Sequence, residues 1–223
     1  MMITKTGVFE IPIYKLSIPN HMEIKEKFIN EIMPELEKRP PNNIGLNLYS
    51  DYFEGLARLG PEWPQLYEQT VQKFLAKAGF NQNKQWSTDI DLWYNVGIEG
   101  TYQEEHDHMG GFPSSTYSAI HYLIYDPQVH QPTAFYNPIH HTFLRNMQPC
   151  NGTDMPNDWQ TPDYKPSVKE GDMLIFPSYL RHSVPLQIDK KARATIALNL
   201  TVGAPADFTL KKSISGNNND RKN

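Results

Sequence analysis

The sequence predicts a mainly β fold with supporting helices in its N-terminal third. Proline is frequent (18 of 223 residues), aromatic side chains make up 12% of the chain, and helical apolar spacing occurs only in the first eighty residues. Such a composition favours many turns and short strands over a helical bundle. The length suits one domain with a full core. The expected layout is a single domain over 1–212, with helical support at 20–80, a β core at 86–203, and a polar, disordered tail at 213–223 (SISGNNNDRKN begins at Ser213).

Residues 8–18 (VFEIPIYKLSI) alternate as a strand, with Pro12 pointing to an edge position. Ile24, Phe28, Ile32 and Leu36 then share a helix face across 21–37, and Pro40-Pro41 stop it. The stretch 42–58 is ambiguous. Leu66, Val71, Phe74 and Leu75 mark a second helix over 63–78, ended by Gly79. From Trp86 to Gly97, Ile90, Leu92, Tyr94 and Val96 lie on one strand face, with Asp89, Asp91, Trp93 and Asn95 on the other. Further strands are read at 116–125, 134–137 and 172–176.

The run Arg193–Val202 (RATIALNLTV) is the most informative. Ala194, Ile196, Leu198 and Leu200 make a core face, while Arg193, Thr195, Ala197, Asn199 and Thr201 make a small, polar and charged one. An arginine on such a face suits a ligand wall better than a packed interior, since an unpaired buried cation is costly. Residues 138–166 carry many Pro, Gly, Asn and Asp and read as an excursion over the surface, with a lid as one role for it.

Charge and cysteine content narrow the classes. A net charge of -4 with scattered basic residues offers no footprint for a nucleic-acid backbone. The single cysteine, Cys150, excludes an intrachain disulfide, and no run reaches the ~20 apolar residues of a membrane helix. The opening residues do not read as a signal peptide, so a cytoplasmic protein is expected. The sequence leaves the oligomeric state open, a homodimer being one option.

Chemistry gathers in two segments. Residues 104–108 read Glu-Glu-His-Asp-His; on an extended backbone His106 and His108 point the same way and Asp107 points away. The bland alternative is a pair of solvated loop histidines. The second segment, GDMLIFPSYLRHSV, ends a strand at a proline turn and returns with His182, which alone reads as a structural histidine but beside the first pair becomes a third ligand from a neighbouring strand. Eleven residues on, Arg193 with Thr195 on the same face could grip a carboxylate by two parallel hydrogen bonds plus a hydroxyl.

At these residues the chain resembles the iron(II) and 2-oxoglutarate-dependent dioxygenases, and more closely a branch of 2-oxoglutarate-iron oxygenases found in marine bacteria and phages. The resemblance runs from Asp91 to Val202 through LWYNVGIEGTYQEEHDH, YSAIHYLIYDP, GDMLIFPSYLRHSVPL and RATIALNL. It implies a double-stranded β-helix, a jelly roll with the N-terminal helices packed on one sheet and Fe(II) at its open end. It also implies His106 and His182 as metal ligands and Arg193, with Thr195 beside it, as the clamp for 2-oxoglutarate. Tyr122, Asn95 and Asn199 are candidates for the cosubstrate pocket. The activity implied is oxidative decarboxylation of 2-oxoglutarate coupled to hydroxylation, by O2, of a small molecule or peptide side chain, a prolyl residue among the options.

The chain departs from the family pattern at the usual carboxylate position, which is His108. Either three histidines bind the metal or a bulge brings Asp107 round; regular alternation favours His108. Two rivals follow: a cupin-like dioxygenase or isomerase with a three-histidine site and no 2-oxoglutarate, and a jelly-roll binding protein without chemistry. His140-His141, Cys150, Trp63, Trp86 and Trp93 are weaker features, the tryptophans reading as core or cavity wall.

Overall fold

The computed structural model describes residues 10–53, 58–110, 114–140 and 161–203. The start of the expected first strand, most of the 138–166 excursion with His141 and Cys150, and the tail from 213 lie outside the described residues. Two antiparallel sheets form the body. The larger has six strands in the order β1 (Tyr14–Ser17), β8 (Asp172–Pro177), β5 (Tyr117–Ile124), β10 (Arg193–Val202), β3 (Thr88–Gly97) and β2 (Leu48–Ser50). The smaller has four, in the order β4 (Gln103–His106), β9 (His182–Val184), β6 (Ala134–Tyr136) and β7 (Asp163–Tyr164). This is the mainly β, jelly-roll arrangement that the sequence led us to expect.

Strand alternation splits the large sheet into two working faces. Tyr94 and Val96 of β3, Ala119 and Leu123 of β5, Met173 and Ile175 of β8, and Ala194, Ile196 and Leu198 of β10 pack against the helices. The helices are α1 (His21–Glu31), α2 (Met33–Leu36) and α3 (Glu68–Lys77). Ile24 and Phe28 of α1 are fully buried there, each side chain contributing about 1.5–3 kcal/mol of hydrophobic stabilisation. The opposite face looks toward the small sheet. Between the sheets a second core forms around Ile120, Tyr122, Phe135, Leu174 and Phe176, with Phe135 and Phe176 edge to face at 4.8 Å.

Several boundaries differ from the sequence expectation for identifiable reasons. The helix read over 21–37 is broken at Ile32, because Pro34 has no N–H to give Asn30 and instead sits in the first turn of α2. The helix read over 63–78 opens with a 3-10 turn, Pro64–Tyr67, before α3. Strand β2 emerges from the ambiguous 42–58 stretch, and β4 stops at His106. No helix among the described residues is long and apolar enough to cross a membrane.

Candidate metal and cosubstrate site

The site lies between the sheets and begins with a bulge. Gln103 pairs with Val184 and His106 with His182, so β4 spends three residue steps where β9 spends two. Such an extra residue twists a strand and re-aims its side chains. The strand ends there, and His108 is held off the ladder, its backbone N–H donating to the carbonyl of Ser178 at 2.9 Å. The regular alternation assumed for 104–108 is therefore not the local structure. His106 and His108 nevertheless converge.

One ring nitrogen each from His106, His108 and His182 lie within 4.8 Å of one another. The ring centroids are 4.4 Å apart for His106 and His182, 5.1 Å for His108 and His182, and 5.3 Å for His106 and His108. Hydrogen bonding selects the nitrogens that face inward. His106 Nδ1 lies 2.7 Å from the Glu104 carbonyl, His108 Nδ1 2.7 Å from Asn199 Oδ1, and His182 Nδ1 3.0 Å from the Leu180 carbonyl. All three partners are acceptors, so each Nδ1 carries the hydrogen and each Nε2 keeps a free lone pair. His108 Nε2 is buried with no hydrogen-bond partner among the described residues.

Electrostatics keep the cluster ready for a cation. Burial, helped by the neighbouring His106, pushes His182 down to about 3, and burial also lowers His108. Neutral imidazoles result, the form a metal needs. Asp107 stands apart from the cluster, exposed, its Oδ1 accepting the N–H of Met109 at 3.0 Å.

Arg193 opens the other end of the same chamber, and it is 5% exposed. Its guanidinium lies over the rings of Tyr122 (5.4 Å to the centroid) and Tyr125 (5.9 Å). Its Nε and Nη2 have no hydrogen-bond partner among the described residues, and burial lowers its pKa. Two buried donors of a cation left unpaired are expensive, and an anion in the chamber would relieve them. Thr195, 3% exposed, lines the chamber beside it.

The remaining sequence candidates are distributed differently. Asn95 lines the chamber; with its amide oriented to satisfy both neighbours, the oxygen accepts from Trp93 Nε1 at 3.2 Å and the nitrogen donates to Ser50 Oγ at 2.8 Å. Tyr122 lies behind the wall, bonded to Thr133, with its hydroxyl 3.1 Å from Thr133 Oγ1. Asn199 faces His108. His140 lines neither this chamber nor the cleft beside it. Trp93 takes the cavity-wall role, stacking on His108 at 5.8 Å and 22°, whereas Trp63 is core. Sequence reading passed over Gln103, Thr101 and Gln187, which also line the chamber. Only their pairing across β4 and the loop after β9 brings them together.

The chamber is narrow, about 40 Å³, and suits a slender ligand. A wider cleft of about 320 Å³ shares His106 and His108 and is walled by Tyr52, Phe53, Glu104 and Asp107.

Residues 91–199 match a family model described as "Putative 2OG-Fe(II) oxygenase". Over those residues the chain is similar to the iron(II)/2-oxoglutarate oxygenases. Solved oxygenase structures share the fold. A prolyl-4-hydroxylase from Pseudomonas putida aligns at TM-score 0.55 and 10% identity, over 86% of this chain and 92% of that one. A prolyl hydroxylase from Trichoplax adhaerens, solved with a peptide fragment of the hypoxia inducible factor oxygen degradation domain, aligns at 0.52 and 11%, over 85% and 83%. HygX from Streptomyces hygroscopicus, solved with nickel and 2-oxoglutarate, aligns at 0.50 and 13%, over 89% and 85%. At such identities the likeness is one of fold. No curated protein matches the chain. The cofactors of those oxygenases are Fe(II) and 2-oxoglutarate, and three convergent imidazoles facing a buried arginine with unpaired donors fit that pair by the chemistry of their donors.

Proposed function

We propose that this oxygenase holds Fe(II) through His106, His108 and His182 and holds the far carboxylate of 2-oxoglutarate through Arg193 and Thr195. The observation that carries the reading is the pairing, in one chamber, of convergent histidine lone pairs with a buried guanidinium whose Nε and Nη2 lack partners. The coupled reaction is oxidative decarboxylation of 2-oxoglutarate to succinate with hydroxylation of a small molecule or peptide side chain.

When bound, the metal supplies the activation of O2 and the oxidation. The chain supplies position and shelter. Arg193 offers its two free donors to a carboxylate, while the Tyr122 and Tyr125 rings beneath it hold the guanidinium plane. Ile120 and Phe176 make one side of the chamber apolar, which strengthens that contact by excluding water. The wider cleft, walled by Tyr52 and Trp93, whose rings pack on each other at 5.4 Å, admits the primary substrate to the His106–His108 side. Since two similar folds are prolyl hydroxylases, proline-containing peptides head the substrate panel. We place this activity in one domain over 1–212.

Purified protein loaded anaerobically with Fe(II) should release succinate from 2-oxoglutarate on admission of O2, with a substrate from the panel raising the rate. Absence of succinate from fully loaded protein across the panel sinks the reading. The three-histidine set favours one rival specifically, a cupin-like metal enzyme that does not use 2-oxoglutarate. Calorimetric titration of the metal-loaded protein with 2-oxoglutarate separates the two, because that rival predicts no binding.

A further inference from the structure

We infer that Asn199 is the positioning residue that makes His108 a metal ligand. This rests on the three-histidine reading above. His108 lies beyond the end of β4, where no ladder holds the backbone, yet it is held by one backbone bond and by two contacts to its ring. Its Nδ1 is 2.7 Å from Asn199 Oδ1, its N–H donates to Ser178 O, and its ring stacks on Trp93. A loop histidine without such support would share its hydrogen between Nδ1 and Nε2, and one of those two forms has no inward lone pair.

The direction of the hydrogen bonds around Asn199 decides the form. Ser118 Oγ donates to Asn199 Oδ1 at 3.0 Å. Ser118 has one hydrogen, so at its 2.9 Å contact with Ser178 Oγ it accepts and Ser178 donates. Ser178 thus steadies the same loop twice, through its carbonyl to the His108 N–H and through its hydroxyl to the Asn199 support. Asn199 Oδ1 thus accepts from both Ser118 Oγ and His108 Nδ1, and turning the amide would require His108 to give up its Nδ1 hydrogen and the serine hydroxyls to reverse together. His108 Nδ1 must then carry hydrogen. Nε2 is left as the buried lone pair without a partner.

Position in the fold makes this support rigid. Asn199 and Ser118 are directly opposed on the β10–β5 ladder, in the middle of the large sheet. The ligand on irregular backbone is therefore oriented by residues on regular backbone. Partners of this kind on a metal-binding histidine typically change metal affinity 10–100-fold when removed.

The test uses the full chain and Co(II) as probe, with affinity measured by chelator competition. In metal-free protein the tautomer of His108 is read by long-range 1H–15N NMR. Asn199→Leu keeps the size and removes the acceptor; it should weaken Co(II) by 10–100-fold and populate the Nε2–H tautomer of His108. Asn199→Asp keeps an acceptor and should bind within a few-fold of wild type with the Nδ1–H tautomer retained. Should Asn199→Leu not fold, Ser118→Ala frees the amide to turn and should give a smaller loss, a few-fold, in the same direction. Wild-type affinity and an unchanged tautomer in either of these weakened variants overturns the inference alone. Failure of the wild-type chain to take up Co(II) overturns the metal reading, and this inference with it.

Discussion

The guanidinium of Arg193 rests on the ring of Tyr122, 5.4 Å above its centroid, with two of its nitrogens unbonded in a chamber it shares with three histidines. An aromatic platform orients a cation without using its forward-facing donors. Those donors remain for a ligand. Arg193→Ala should weaken 2-oxoglutarate by about 2–5 kcal/mol, as loss of one member of a buried charge pair does. The corresponding rise in Kd is roughly thirty-fold or more. Arg193→Lys should recover little, because an ammonium lacks the planar fork. Calorimetry on metal-loaded protein reads both, and unaltered Kd values would discredit the clamp.

The same residue should trade stability for binding. A buried cation with unpaired donors is a cost to the ligand-free fold, and an apolar side chain of similar length removes it. Arg193→Met should therefore leave the thermal midpoint of the ligand-free protein unchanged or raise it while abolishing 2-oxoglutarate binding. A fall of several degrees would mean that the guanidinium is structurally satisfied after all.

Third-ligand identity separates cleanly by substitution. His108→Ala should lower Co(II) affinity by at least tenfold, whereas Asp107→Ala should stay within about twofold of wild type, since Asp107 is exposed and caps Met109. The opposite ranking would place the carboxylate on the metal.

His121 links stability to pH. It is wholly buried on the helix-facing side of β5, with Nδ1 2.9 Å from the Tyr67 hydroxyl and Nε2 3.0 Å from His21 Nδ1. Burial, with a smaller effect from His21, pushes its pKa down to about 3. Because the folded value lies below the unfolded ~6.5, stability is fully present above pH 6.5 and is lost as pH falls from there toward 3. The slope from one such group is at most about 1.4 kcal/mol per pH unit. Urea denaturation between pH 7 and 5 should show a shallower decline in His121→Gln than in wild type. Equal slopes would remove His121 as the responsible group.

Asp51 pins the loop that carries Tyr52 and Phe53 to the cleft. Its Oδ1 accepts the N–H of Tyr94 at 2.7 Å in a buried setting and its Oδ2 that of Leu59 at 2.9 Å in a partly buried one. Asp51→Ala strands both donors and should cost roughly 2–4 kcal/mol, at about 1–3 per unsatisfied group. Asp51→Asn, keeping one acceptor, should cost less. Chemical denaturation measures both, and a cost under 1 kcal/mol for Asp51→Ala would show that water replaces the carboxylate.

Much of the scaffold was legible because alternation along β3 and β10 is strict and one face of each is needed by the helices. The direction of Arg193 and Thr195 followed from Ala194 and Ile196 being core. Less regular parts were not legible. Strand β2 is three residues long and pairs at an edge, too short for a periodic signal. Pro34 broke a helix whose apolar spacing continued across it. The bulge in β4 had no signature of its own among Gln103–His106.

The residue types at His106, His108, His182 and Arg193, and the face on which Arg193 would sit, were determined by sequence alone, through local periodicity and the spacing of the motifs. Only the tertiary structure decided that His108 joins the cluster from outside a strand, that Asn199, ninety-one positions away, holds its Nδ1, and that Arg193 is left with unpaired donors. The reason is physical. Side-chain direction along a regular strand is set by backbone geometry that a sequence displays, whereas hydrogen-bond pairing across strands depends on register, and register comes only from the packing of the whole sheet.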